Sequence, residues 1–359
     1  LKIIINLLIF NQMKLRYHLI SSYKKKNFLI KVFNAFKYYL SRKKNYLKLN
    51  YLPLTMDIEP TTGCNFRCTM CQVSDPNFKA FNLDIDIFKK IIDENKQLIK
   101  IKLQGMGEPF VNKKMFEMIK YANDSGITVE FVSNGSLLDE KNINQITKQD
   151  IQTINISIDG ATKETFESIR LKSNFEEVIN NVKNLSNRLK SIKSKTEFVA
   201  LCLVQKKNFN EINQIVTLCK SIGFHQLKFQ VQLTGWGKQD WIDINKAQDI
   251  NFSDNDIRNV FLKLKNENSD KNFKIDIVEE NILNFKKKCN YPFENPYISA
   301  TGKVLPCCMI ADEKIVNFGS VEQSKFSDIW NSKDYQNFRK NINDNNLEDY
   351  CKNCYHEYR

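Results

Sequence analysis

Several kinds of segment are missing from this sequence of 359 residues. No apolar run reaches the ~18 to 20 residues that a membrane-spanning helix needs. The apolar residues 1–10 are not followed by a small-residue cleavage site typical of a secretory signal. Only three histidines occur, at positions 18, 225 and 356, and their spacing excludes a histidine-based metal motif. The ten cysteines of this lysine-rich chain therefore do not indicate a secreted disulfide framework, and clustered cysteines predict metal ligands.

Acidic residues are absent from residues 1–50, which hold twelve of the chain's Lys and Arg residues and therefore carry nearly all of its +13 net charge. This basic arm is also amphipathic, because apolar residues recur at helical spacing: Leu29, Val32, Phe33, Phe36 and Leu40. Three interpretations follow: a membrane-surface helix, a contact for an acidic partner, or a capping helix that packs its apolar face on the protein and exposes its lysines. Nucleic-acid binding is not indicated, because no aromatic RNA-binding motif accompanies the charge. Since the first residue is Leu, Met13 is an alternative start.

From residue 54 onward, strand-like and helix-like segments alternate. Strands are predicted over residues 54–59, 99–104, 128–133, 153–158, 197–204 and 226–231, and helices over residues 83–98, 113–124, 138–148, 163–189 and 210–222. Repeated units of this kind predict an α/β fold with a parallel sheet. We divide the chain into a basic helical arm (1–50), a core (51–234), a mostly helical connection (235–285) and a cysteine-bearing module (286–359).

Three cysteines lie on one short loop after the first predicted strand: Cys64, Cys68 and Cys71. Three thiolates can hold three corners of a [4Fe–4S] cube and leave one iron open for chemistry. A zinc site would need a nearby fourth ligand, and no His or Cys occurs between Cys71 and Cys202. The C-x3-C-x2-C spacing resembles the signature of the radical S-adenosylmethionine (SAM) superfamily. That resemblance implies that the open iron binds SAM, that the reduced cluster cleaves it to a 5′-deoxyadenosyl radical, and that the six strands form a partial (β/α)6 TIM-like barrel.

Polar or glycine-rich loops follow the next three strands as well, and in a parallel barrel all such loops share one rim. The resemblance to the radical SAM superfamily implies cofactor contacts in these loops: Gly105, Gly107, Glu108 and Pro109 for the amino group of SAM, Ser133 and Asn134 for the ribose, and Ser157 and Arg170 for the carboxylate. Glycines would let the backbone approach the cofactor closely. Met106 replaces one glycine of the usual motif, and Met70 stands where many members carry an aromatic residue against adenine.

The C-terminal module has a second set of cysteines. Four of them are candidate ligands for one fully ligated cluster: Cys289, Cys307, Cys351 and Cys354. The adjacent Cys308 is an alternative to Cys307, and a structural zinc is the alternative metal. The pattern resembles the SPASM/twitch extension of radical SAM proteins in its form with a single auxiliary [4Fe–4S] cluster.

These resemblances imply a cytoplasmic radical SAM oxidoreductase in which the auxiliary cluster accepts an electron from the substrate radical. We expect dehydrogenation of a sugar-like, aminocyclitol-like or glycan substrate. The alternative is a maturase that cross-links or epimerises a ribosomal peptide, and a more distant alternative is a non-catalytic redox sensor. A flavodoxin-type or ferredoxin-type reductant is the expected partner, and the arm adds the option of peripheral membrane contact.

Overall fold

A nine-stranded sheet forms the centre of the molecule, in a computed structural model that describes residues 25–41, 47–251, 254–278, 289–352 and 354. The strand order is β11-β10-β1-β3-β4-β5-β7-β8-β9, and β2 pairs with β6 outside this sheet. The strands are β1 (Thr55–Ile58), β2 (Arg67–Cys68), β3 (Lys100–Leu103), β4 (Thr128–Ser133), β5 (Ile151–Ser157), β6 (Arg170–Leu171), β7 (Glu197–Leu203), β8 (Gln226–Gln230), β9 (Lys274–Ile277), β10 (Tyr297–Ile298) and β11 (Val304–Leu305).

Helices connect the parallel strands and cover the sheet. The described α-helices are Phe28–Ser41, Ile85–Glu94, Met115–Asp124, Glu140–Ile146, Lys163–Ile169, Phe175–Ser191, Ile212–Ile222, Gln239–Gln248, Asn255–Asn268, Tyr291–Glu294, Phe326–Trp330, Lys333–Asn343 and Asp349–Lys352. Local chemistry accounts for several ends. Asp84 accepts N–H groups at the start of Ile85–Glu94, and Gly223 ends Ile212–Ile222 with a φ of 92° that favours glycine.

The prediction of six strand–helix units in a partial barrel is confirmed. β1, β3, β4, β5, β7 and β8 lie side by side in parallel. Along β3 and β8 buried residues alternate with half-buried ones, and the half-buried Lys100, Lys102, Lys228 and Gln230 line the cavity of the barrel. Residues 163–189, predicted as helical in one or two pieces, form two helices separated by β6.

The sheet is larger than predicted at both edges. β9 lies within the segment expected to be a mostly helical connection, and it pairs in parallel with β8. β10, from the C-terminal module, pairs in parallel with β1, with Asp57 opposite Tyr297. Backbone hydrogen bonds therefore join the C-terminal module directly to the barrel sheet, and its predicted bounds of 286–359 stay a prediction.

The described part of the arm is a helix, as predicted, but it exposes most of the predicted apolar face. The helix Phe28–Ser41, hereafter the arm helix, buries Lys31 and Asn34 together with Ala35 and Tyr38, and it exposes Leu29 and Phe33. The capping interpretation is therefore wrong for the predicted apolar face, although another side of the helix packs on the core. Residues 1–24 and 42–46 of the predicted arm lie outside the described residues. No helix in the described part of the chain is long and apolar enough to cross a membrane.

Candidate active site

The three N-terminal cysteines lie together at the rim formed by the carboxyl ends of the parallel strands. Cys64, Cys68 and Cys71 are all partly buried. The Cys71 N–H donates to the Cys68 carbonyl at 3.1 Å, and the Ser74 hydroxyl donates to the same carbonyl at 2.6 Å. The Phe66 N–H lies 3.4 Å from the Cys64 sulfur. These bonds hold the loop in a compact form with its thiols at one rim.

A buried ion pair supports the cysteine loop from below. β2 pairs with β6, and this places Cys68 opposite Arg170. The Arg170 Nη2 atom lies 2.7 Å from Asp159 Oδ2, and its Nη1 atom lies 3.9 Å from the Cys68 sulfur. The Nε atom of Arg170 is buried without a hydrogen-bond partner among the described residues. Arg170, predicted to bind the SAM carboxylate, is therefore largely committed to Asp159.

The thiols of this loop are poor acids without a metal. Burial raises the pKa of Cys68 to about 11 and that of Cys71 to about 12, while Arg170 opposes both shifts. Metal loading must therefore release protons. In the described residues no three His, Cys, Asp or Glu side chains converge closely enough to hold a single metal ion. A cubane makes a different demand, because each thiolate binds a different iron, and three thiols on one short loop fit it.

The glycine-rich loop packs against the cysteine loop through backbone atoms. A Cβ atom on Gly107 would lie 2.3 Å from the Gly63 carbonyl oxygen, and one on Gly105 would lie 2.3 Å from the Glu59 side chain. The Glu108 N–H also donates to the Gly63 carbonyl at 2.9 Å. The structure adds a second reason for glycine at these positions, which is close contact with the chain itself. Their contact with SAM stays a prediction.

The Glu108 carboxylate ties the glycine-rich loop to the loop after β4. It accepts the Ser133 hydroxyl at 2.9 Å and the Asn134 N–H at 2.7 Å, and the Phe110 N–H lies 3.5 Å away. Burial raises the pKa of Glu108 to about 7. Asn134 in turn donates to Asn65, next to Cys64, at 3.0 Å. Glu108, Ser133 and Asn134, all predicted to bind SAM, thus order one another, while Pro109 begins a short 3-10 helix.

Glu59 is a structural residue of the rim that the sequence reasoning missed. It lies just after β1, is fully buried, and accepts the Met106 N–H at 2.7 Å and the Ala300 N–H at 3.1 Å. It therefore joins the glycine-rich loop to the C-terminal module. Burial raises its pKa to about 7. The only signal in the sequence is a second acidic residue at the end of the predicted strand, two positions after Asp57.

A cavity of about 1140 Å³ runs through the barrel beneath this rim. Ser157, Gly105 and Met70 line its upper part, and Arg170 lies outside the lining. Trp236, one of the predicted substrate-side residues, lines it as well. At its base the cavity reaches Tyr38 of the arm helix. The cavity is therefore bounded by the predicted cofactor loops at one end and by the arm at the other.

Charged side chains line the wall of the cavity. Glu130 lies 2.8 Å from Lys100 Nζ and 3.6 Å from Lys102 Nζ. Burial opposes the ionisation of Glu130, but the two lysines outweigh it and lower its pKa to about 2. Burial raises the pKa of Asp57, which accepts the Gln104 amide at 3.1 Å. The cavity thus offers both charge signs to a polar ligand.

The four predicted auxiliary ligands come together in the C-terminal module. Burial raises the pKa of the Cys307 thiol, and the nearby thiols of Cys289, Cys351 and Cys354 raise it further. Cys307 also packs in a small cluster with Tyr291, against which Cys289 and Cys351 lie. Four neighbouring thiols fit a fully ligated cluster.

Cys308 packs against the same small cluster and also raises the pKa of the Cys307 thiol. Its own thiol hydrogen-bonds to Asp57, lies near Lys102 and lines the barrel cavity. These contacts outside the cluster site favour Cys307 as the auxiliary ligand, and that choice stays a prediction.

Comparisons with known proteins agree with these two cysteine sets. The family model of the radical SAM superfamily matches residues 58–219, and the model of an iron–sulfur cluster-binding domain, SPASM, matches residues 289–355. A radical SAM domain implies a [4Fe–4S] cluster and SAM, and a SPASM domain implies auxiliary iron–sulfur clusters. The residues described above would hold these groups.

Individual relatives differ in their activities. The chain is 26% identical to the AdoMet-dependent heme synthase of Methanosarcina barkeri, over 84% of this chain and 87% of that protein. It is also 26% identical to the mycofactocin maturase MftC of Mycolicibacterium smegmatis, over 54% of this chain and 48% of that protein. The structure of Streptococcus suis SuiB bound to precursor peptide SuiA matches with a TM-score of 0.67 at 14% identity, covering 87% of this chain and 72% of that chain. The last similarity concerns the fold alone.

Proposed function

Because this chain belongs to the radical SAM superfamily and carries a SPASM domain, we propose that it removes a hydrogen atom from a substrate held in the barrel cavity. The observation that carries this proposal is that Met70, which lies between Cys68 and Cys71 on the cysteine loop, lines the cavity together with Gly105 and Met106 of the glycine-rich loop. When bound, the cluster and SAM supply one-electron cleavage of SAM and thereby removal of a hydrogen atom from the substrate. We expect a flavodoxin-type or ferredoxin-type protein as the electron donor.

The residues of the chain would hold the cluster in place, order the rim loops and separate the reacting centre from water. Cys64, Cys68 and Cys71 would hold the cluster on a loop fixed from below by Arg170. Glu108 keeps two neighbouring rim loops in register, and so orders backbone groups that would contact SAM. The buried walls of the barrel separate the reacting centre from bulk water, which protects a reactive intermediate.

We propose a peptide as the substrate, in place of the sugar-like substrate expected at first. Support comes from the maturase among the sequence relatives and from the similarity in fold to SuiB, whose structure contains a precursor peptide. The cavity of about 1140 Å³ exceeds the ~300 to 1000 Å³ of drug-sized pockets, so it has room for an amino-acid side chain and its neighbours beside SAM. Cross-linking or epimerisation would then be the reaction class.

A small-molecule substrate is the second candidate. One relative that this chain matches over most of its length is named a heme synthase, and heme is a small molecule. The charged pairs in the cavity wall would also suit a polar ring compound. Dehydrogenation of a sugar, aminocyclitol or glycan remains a prediction within this candidate.

The first experiment separates an enzyme from a redox sensor. We expect the anaerobically reconstituted protein to form 5′-deoxyadenosine from SAM under reductant, slowly without substrate. A variant with Cys64, Cys68 and Cys71 replaced by Ala should lose this activity and about four irons per chain. Cys202→Ala, at a buried strand position, is the matched control and should keep both. A protein that binds its clusters yet never consumes SAM would contradict the proposal.

The second experiment separates the two substrate classes. Short peptides encoded beside the gene, and small polar metabolites from a cell extract in which proteins have been digested, are incubated separately with the enzyme. A peptide substrate predicts faster 5′-deoxyadenosine formation and a mass change confined to the peptide sample. A mass change confined to the small metabolites would instead establish the second candidate.

A further inference from the structure

The arm helix presents an apolar stripe to solvent. Leu29, Phe33, Phe36 and Leu40 are 70%, 61%, 36% and 52% exposed. Their spacing of four, three and four residues places them on one face. Large apolar side chains are usually buried, so a contiguous exposed set of them indicates an interaction surface.

Polar contacts on the opposite face hold the stripe outward. The buried Lys31 ammonium donates to the Gly126 carbonyl. The Asn34 amide pairs with Leu52 in both directions, donating to its carbonyl at 2.7 Å and accepting its N–H at 2.9 Å. The Tyr38 hydroxyl donates to Glu294. Rotating the helix to bury the stripe would leave these groups without partners, so the outward orientation is a built feature of the fold.

The sequence of the arm carries charge of one sign only. Residues 1–50 hold twelve basic and no acidic residues. Lys26 and Lys48 are exposed, and the Lys37 ammonium lies 4.6 Å from the centre of the Phe33 ring. Residues 3–10 add a second run of mostly apolar sequence within the same basic segment. A partner must therefore offer both an apolar interior and a negatively charged surface.

We propose that the outer face of the arm helix docks the protein on an anionic lipid bilayer. An interfacial helix of this kind buries aromatic and leucine side chains below the headgroups, while lysines bind anionic lipid. A folded acidic protein would match the lysines, but it offers no general counterpart to four exposed apolar side chains in a row. This inference is independent of the substrate proposed above.

The position of the arm helix determines how the protein would lie on the membrane. The arm helix contacts Gly126, just before β4, and Leu52, just before β1. Lys25, which precedes the helix, pairs with Asp150, just before β5. These residues mark the base of the barrel, whereas the cysteine loop lies at the opposite rim. The docked protein would therefore direct its active-site mouth toward the aqueous phase, and the substrate would come from there.

The test is co-sedimentation of the reconstituted full chain with vesicles of phosphatidylcholine, with or without phosphatidylglycerol. The test variant is Phe33→Ser/Leu40→Ser, and the control is Ile192→Ser/Val260→Ser, which alters two exposed apolar residues elsewhere. Thermal unfolding of all three proteins checks the fold. We expect wild type and control to pellet with anionic vesicles. The test variant should bind these vesicles at least about tenfold more weakly, because two large side chains no longer enter the bilayer. Binding should also weaken between ~0.1 and ~1 M salt, as the Debye length falls.

Three outcomes would overturn the proposal. The first is a wild-type protein that stays in the supernatant with every vesicle. The second is equal pelleting of the test variant. The third is a wild-type dimer in light scattering that Phe33→Ser/Leu40→Ser converts to a monomer while vesicles bind neither protein, because a second copy would then cover the stripe.

Discussion

Replacement of Glu108 tests whether its carboxylate orders the rim as a buried, easily protonated group. Its ordinary pKa of 4.5 rises to about 7 in the fold because of burial. Between these values the folded protein keeps a proton that the unfolded chain has lost, so rising pH favours unfolding. The slope approaches about 1.4 kcal/mol per pH unit, which amounts to about 3 kcal/mol over the window. Above pH 7 the effect is constant.

Two variants separate the effect of protonating Glu108 from the effect of its hydrogen bonds to Ser133 and Asn134. Glu108→Gln cannot titrate but can still accept the Asn134 N–H, and the Ser133 hydroxyl can turn to donate or accept, so at pH 5 we expect a loss of only about 1 kcal/mol. Glu108→Ala leaves both donors unpaired and should lose about 3 kcal/mol. By pH 8 each variant should gain about 3 kcal/mol relative to wild type, so the Gln variant should become the more stable protein.

Urea unfolding followed by far-UV circular dichroism at pH 5, 6, 7 and 8 measures these differences under anaerobic conditions. Glu59 also has a raised pKa and remains in both variants, so only differences from wild type are interpreted. Parallel pH curves for wild type and Glu108→Gln would show that the Glu108 pKa is not raised. Equal losses in the Gln and Ala variants would show that the carboxylate does not anchor the two loops.

Three further predictions concern backbone contact, ligand identity and a buried cation. Gly107→Ala should lower the unfolding free energy by about 2 kcal/mol and reduce iron content, because the new Cβ atom would lie 2.3 Å from a carbonyl oxygen. Gly63→Ala is the control and should lower the unfolding free energy less, because the nearest atom to its Cβ is a side-chain oxygen at 3.2 Å. Cys307→Ala should remove about four irons per chain while Cys308→Ala keeps them, as measured by iron analysis; the reverse result would exchange their roles. Arg339→Met should lower the free energy of unfolding in urea by about 3 kcal/mol, because this buried guanidinium lies 4.2 Å from two aromatic rings and donates to two backbone carbonyls. A loss below about 1 kcal/mol would show that these contacts do not stabilise the fold.

Much of the fold could be read from local patterns. The strand predicted over residues 128–133 has the same bounds in the structure, and the other five predicted core strands differ by a few residues at most. Alternation of apolar runs with amphipathic segments is a property of neighbouring residues, so it survives in the sequence. β9 and β10 were not predicted because strands of four and two residues depend on a partner strand rather than on their own composition.

In the candidate site, too, features set by local sequence could be predicted, and features set by distant partners could not. The three cysteines of the loop were predictable because their spacing along the chain is itself the chemical requirement. The roles of Glu108 and Arg170 were not, because each is determined by a partner in another loop: Ser133 and Asn134 for Glu108, and Asp159 for Arg170. Side chains expected to contact SAM also hold the loops together, and their contact with SAM stays a prediction.

The sequence by itself determined the succession of strands and helices, the cysteine spacing and the basic, amphipathic character of the arm. Only the tertiary structure decided that Cys308 faces the cavity, that Glu59 joins the rim to the C-terminal module, and that the arm helix exposes its apolar side. The physical reason is that periodicity and charge are local, whereas the direction of a side chain follows from which distant groups can satisfy it. For the arm helix, hydrogen bonds from Lys31 and Asn34 to the base of the barrel outweighed the apolar pattern.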